Sequence, residues 1–169
     1  MRKKILAAAL FLLLVPVVLA ADEEKRPDCS GQEFRVFDFW VGDWDVEENG
    51  KKAGTSSVQR ILNDCVIFEN WSGLSGYSGK SFNIYNRTLK KWQQFWVDNS
   101  GGVLVLNGEY TDGQVRFEGE TLQQDGTKIQ ERLTFYNISK QEVRQVWEQS
   151  RDGKTWKVIF DGHYTRKPV

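Results

Sequence analysis

From Phe37 onward the chain alternates apolar and polar positions in short stretches, each ended by Gly, Asn, Asp or Ser. A period of two puts alternate side chains on opposite faces of a strand. The pattern predicts strands over 42–48, 53–62, 65–72, 80–86, 92–98, 102–110, 114–122, 128–136, 142–149 and 156–166. Asn49-Gly50 is a strong hairpin signal, because both turn positions need positive φ. Asp112-Gly113, Asp125-Gly126 and Asp152-Gly153 repeat that chemistry, and Asn99–Gly102 and Asn137–Lys140 supply further turns. Hairpins this short force antiparallel neighbours. Closing such a meander on itself removes the exposed edges. The expected fold is therefore all-β: a single antiparallel up-and-down β-barrel of about ten strands. No long amphipathic helix is visible. Phe34 to Val41 is read as a short N-terminal segment plugging one end, and Gly73 to Gly79 is the longest irregular stretch.

The N-terminus changes the setting. Arg2-Lys3-Lys4 precedes an apolar run from Ile5 to Leu19, followed by Ala20 and Ala21. This is the layout of a secretory signal peptide, and the run is short for a membrane span of roughly 20 residues. We read 1–20 as the signal peptide, 21–33 as a flexible charged lead and 34–169 as the barrel domain. The expected product is exported, periplasmic or extracellular, with no stable membrane insertion after cleavage. Cleavage would leave 20 Lys+Arg against 23 Asp+Glu, which argues against a nucleic-acid partner.

Export permits a disulfide. Cys29 and Cys65 are read as a pair stapling the tail to the sheet, the alternative being two free buried thiols. Paired, they close a loop of 36 residues, worth about 4 kcal/mol in the chain-entropy model.

Seven Trp and ten Phe are a heavy aromatic load, enough to line a core or a cavity. Four strand faces are apolar at their ends and polar in the middle: Ile67, Glu69, Trp71; Trp92, Gln94, Trp96; Ile129, Glu131, Leu133, Phe135; and Val143, Gln145, Trp147. Pointing inward, they form an aromatic cavity with a belt of Glu69, Gln94, Glu131 and Gln145, framed by Trp71, Trp96 and Trp147. A buried carboxylate must be paired, hydrogen-bonded or protonated, and Arg60 is the candidate partner. The function this suggests is binding of a small hydrophobic molecule. The alternative is a barrel filled by its own side chains, acting as a scaffold for protein–protein interaction through the Gly73–Gly79 loop or a cluster around Tyr77 and Phe82.

Gly42-Asp43-Trp44, at the start of the first strand, resembles the Gly-x-Trp motif of lipocalins. The resemblance implies that Trp44 packs across the closed barrel end under a basic side chain, with Arg166 the candidate, by a cation–π contact. The stretch Phe37-Asp38-Phe39-Trp40-Val41-Gly42-Asp43-Trp44-Asp45-Val46 resembles the opening of a bacterial family of secreted lipocalin-like (calycin) proteins of unknown function. Cys65 with Glu69 and Trp71, Trp92 to Trp96, Arg144 to Ser150 and Phe160 to Tyr164 are similar too. The resemblance spans nearly the whole mature chain and implies the barrel fold, without an activity.

The only histidine, His163, invites comparison with the haem-binding nitrobindins, which resemble this chain in size and strand count and carry an axial His on a late strand. Their Gly-x-Trp-x-Gly-x-Gly-x-Gly opening is absent here, where Asp45, Val46, Glu47 and Glu48 follow Trp44. Haem through His163 is kept as an alternative, and no cofactor or metal is assigned. Ser150 to Trp156 resembles a shortened Asp-box hairpin of sialidase-type propellers, in which Asp152 would tie the turn. One histidine, two distant cysteines and no Gly-x-Ser-x-Gly elbow give no nucleophile–base set and no zinc site. The chain is therefore read as a non-enzyme.

Overall fold

The structure, a computed structural model, describes residues 28–168. The signal-peptide reading and the start of the lead lie outside the described residues. Ten strands follow one another: β1 (Gly42–Glu48), β2 (Lys51–Ile61), β3 (Val66–Gly73), β4 (Ser78–Asn86), β5 (Lys91–Asp98), β6 (Val103–Thr111), β7 (Gln114–Leu122), β8 (Lys128–Ser139), β9 (Glu142–Ser150) and β10 (Lys157–Arg166). Each pairs antiparallel with the next, and β1 pairs with β10 to close the barrel. The turns carry the chemistry that the sequence requires. Asn49, Gly50, Asp112 and Gly113 all have positive φ, as two-residue primed turns demand. Asp125 and Asp152 differ: they sit in longer loops in which only Gly126 and Gly153 turn left-handed.

Alternation sorts the side chains as expected. Ile67, Glu69, Trp71, Trp92, Gln94, Ile129, Glu131, Leu133, Phe135 and Val143 are all buried. One departure matters. The register of β10 shifts between Val158 and Phe160, so Ile159 is an extra residue, and the bulge re-aims it.

The plug forms as predicted. Helix α1 (Gln32–Arg35) leads into a 3-10 turn, Asp38–Trp40. Phe37 and Trp40 stack at 5.2 Å, with Phe37 edge-on to Phe135 at 5.0 Å and to Trp92 at 5.5 Å. Both are fully buried, and each large apolar side chain so buried contributes roughly 1.5–3 kcal/mol. Trp44 Nε1 donates to Trp40 O at 2.9 Å, joining plug to barrel.

Arg60 is not the partner of Glu69. It lies two positions further along β2 and reaches Asp38 of the plug at 3.1 Å, where Arg35 also approaches at 3.5 Å. Burial pushes the Asp38 carboxyl up in spite of both guanidinium groups. The end of the lead is anchored rather than loose. Cys29 and Cys65 form a disulfide, and the Arg87 guanidinium lies over the Phe34 ring and donates to Asp28 O.

Candidate functional site

With the plug at one end, strand direction places the loops 74–77, 99–102, 123–127 and 151–156 at the other. Above the plug lies an open pocket of about 250 Å³. Six of the seven residues expected to bind a ligand line it: Glu69, Trp71, Gln94, Trp96, Gln145 and Trp147. Leu133 and Phe135 lie on the plug side, and Tyr77 and Leu104 stand toward the open loops.

The seventh, Glu131, contributes no surface to the cavity. Instead it accepts hydrogen bonds from Trp147 Nε1 (2.7 Å), Thr121 Oγ1 (2.7 Å) and Gln149 Nε2 (3.1 Å). It is a wall support. Asp98 serves the facing wall in the same way, taking Tyr77 Oη at 3.0 Å and Trp96 Nε1 at 3.2 Å. Partial burial pushes the Asp98 carboxyl up. The Ser100 hydroxyl, the amides of Gly102 and Ser100, and Tyr77 outweigh that and hold it well below the usual range. The Tyr77 phenol is pushed up to about 12, by burial and then by Asp98.

The cavity floor is a polar relay. Gln94 Nε2 donates to Asn83 Oδ1 (2.8 Å), Asn83 Nδ2 to Ser81 Oγ (3.0 Å) and Ser81 Oγ to Glu69 Oε2 (3.0 Å). Ser56 Oγ donates to Glu69 Oε1 at 2.9 Å. Glu69 is 4% exposed. Burial, only partly offset by the two serine hydroxyls, raises its carboxyl to about 7. Tyr164 donates to Gln145 Oε1, and burial, followed by the Glu69 charge, pushes its phenol well above its ordinary value. Among the described residues, no Lys, Arg or His lines the cavity.

The sequence reading missed Tyr164, Phe160, Ile159, Leu104 and Tyr77 as lining residues. Tyr164 and Phe160 were legible, since both alternate inward with the barrel-end Arg166. Ile159 was not, because strict alternation places it outside with His163, and only the bulge turns it in.

His163 stands on the outer wall. Its side chain is 63% exposed and lies 3.8 Å from Asp161. It offers no ligand to the interior, so a haem in this cavity would have no axial histidine. The Asp152 turn forms as expected: its Oδ1 accepts from Thr155 N (2.7 Å) and Lys154 N (2.8 Å), and Arg132 lies 4.0 Å above the Trp156 ring. Tyr77 and Phe82 do not cluster. Tyr77 packs near Trp96, whereas Phe82 belongs to an outer row across paired strands, Phe68–Phe82–Phe95–Val105.

No protein-family model matches the chain, and no curated protein does.

Proposed function

We propose that this chain is an exported, lipocalin-like carrier or sensor that holds one small, largely apolar molecule inside the barrel. The observation that carries this reading is the cavity itself. It is lined by three tryptophans and two phenylalanines, with a few convergent polar groups on its floor, the composition of a small-molecule site. Its volume lies below the roughly 300–1,000 Å³ of pockets for drug-sized ligands, which favours a compact occupant. Wall tryptophans tied to Asp98 and Glu131 favour a preformed site, since fixed side chains lose little freedom on binding. The disulfide fits an oxidising compartment.

The test is native mass spectrometry of the mature protein from its own host compartment, followed by titration with 2-phenylethanol read by tryptophan emission. A retained small molecule, or saturable quenching abolished by Leu104→Trp, supports the reading. An apo mass together with no saturable response overturns it.

A second reading, a surface scaffold, is favoured by the outer row. Phe82, Phe95 and Val105 are each about two-fifths exposed or more (42%, 40% and 46%), a contiguous apolar strip of the kind that marks contact surfaces. Sedimentation of wild type against Phe95→Lys tests it. Monomers at every concentration for both would exclude self-association through the strip.

A further inference from the structure

Resting on the cavity reading, we propose that the occupant is a small organic ammonium ion, its charged nitrogen held against Glu69 and its apolar part among Trp71, Trp96 and Trp147.

The first argument is an unbalanced charge. Glu69 lies on the floor of the cavity with one serine hydroxyl on each oxygen. An ionised carboxylate has about four lone-pair sites, so two remain. No cation pairs with it among the described residues, and none lines the cavity. A buried charge is stabilised by a partner, and here a cationic ligand would be that partner. An anionic ligand would meet like charge and no basic side chain.

The second argument concerns the other two carboxylates. Glu131 and Asp98 lie beside the wall tryptophans, and neither forms an ion pair among the described residues. They accept the indole N–H groups of Trp147 and Trp96. Hydrogen-bonded groups polarise one another, so a carboxylate on the N–H edge enriches the ring face. Aromatic faces of this kind, trimmed by carboxylates and free of bases, recognise ammonium groups by cation–π attraction. Among the described residues, the cavity and its wall supports thus carry acids without counter-cations.

The titratable and charged groups facing Glu69 are few. Strands β2, β4, β5 and β9 present Ser56, Ser81, Gln94 and Gln145, all uncharged, and β10 presents Tyr164. The pH response of cation binding in the neutral range therefore belongs to Glu69.

The experiment compares three ligands sharing one ring: phenethylamine, 2-phenylethanol and phenylacetate, titrated calorimetrically at pH 8. The amine should bind at least tenfold more tightly than the alcohol, and phenylacetate more weakly than both. Glu69→Gln should cost the amine tenfold or more and leave the alcohol within about twofold. In the wild type, lowering the pH to 5.5 should erase the amine's preference, a measurement that does not depend on the variant folding. Equal binding of amine and alcohol, or a preference for phenylacetate, overturns the cation assignment and leaves an apolar cavity. No binding by any of the three overturns both.

Discussion

The indole N–H of Trp147 donates to Glu131 Oε2 at 2.7 Å, so a carboxylate with no surface in the cavity fixes one of its walls. Two more donors converge on the same carboxylate, from Thr121 and Gln149. Glu131→Leu would leave these part-buried donors without their acceptor. Each such loss costs about 1–3 kcal/mol, and the expected destabilisation is about 3 kcal/mol in urea unfolding. Freed from its anchor, Trp147 should also lose near-ultraviolet dichroism. A variant with unchanged stability and spectrum would show that Trp147 is held by packing alone.

Glu69 sets a pH dependence of stability. Burial carries its carboxyl from 4.5 to about 7. Between those values the folded protein keeps the proton and the unfolded chain has released it. Stability therefore falls as pH rises through this window, by about 3 kcal/mol in all. Asp98, Asp152 and Asp161 are shifted down, so their contributions change only at more acid pH. Urea unfolding at pH 5 and pH 8 should show the loss in wild type, and Glu69→Gln should flatten it. A wild type more stable at pH 8 than at pH 5 would contradict this assignment.

Arg166 seals the plugged end. Its guanidinium lies 4.3 Å above the Trp44 ring, while Nε donates to Lys140 O and Nη1 to Val41 O. Gly42 makes room for it: φ there is 146°, and a methyl would overlap Arg166 Nη1. Gly42→Ala should thus cost more than the usual exposed-strand substitution, about 2 kcal/mol, through strain and displacement of the guanidinium. Arg166→Lys should also destabilise, since an ammonium cannot serve both carbonyls and the ring at once. Thermal unfolding of both variants is the check, and unchanged midpoints would refute the sealing role.

How much of this was readable in advance follows from where the information sits. Strand order and the inward faces were legible because period-two alternation and Asn-Gly or Asp-Gly turns are local signals. The Trp44–Arg166 contact was legible through a motif. The roles of the two interior glutamates were not. Both alternate inward, yet the Glu131 carboxylate is taken up by Thr121, Trp147 and Gln149 while Glu69 keeps its own on the floor, and that split depends on the neighbouring strands. Ser56 and Ser81 lie on adjacent strands, opposite Trp71 and Glu69 respectively, whereas Arg60, which looked the better partner, is drawn to Asp38. Pairing between strands is a nonlocal fact, and the bulge at Ile159 is another.

The disulfide poses a last separation of causes. Cys29–Cys65 ties the lead to the turn before β3, where Leu62, Asn63 and Asp64 all have positive φ. The plug, however, has its own attachments: Asp38 between Arg35 and Arg60, the Phe37 and Trp40 contacts, and the Trp44 hydrogen bond. If those suffice in the folded state, the bridge acts mainly by restricting the unfolded chain. The double substitution Cys29→Ala with Cys65→Ala should then lower stability by about 4 kcal/mol while leaving 2-phenylethanol affinity within about twofold. Chemical denaturation and the same ligand titration on one preparation measure both quantities. A collapse of affinity alongside stability would show instead that the bridge holds the plug, and through Phe37 against Phe135 the cavity floor, in place.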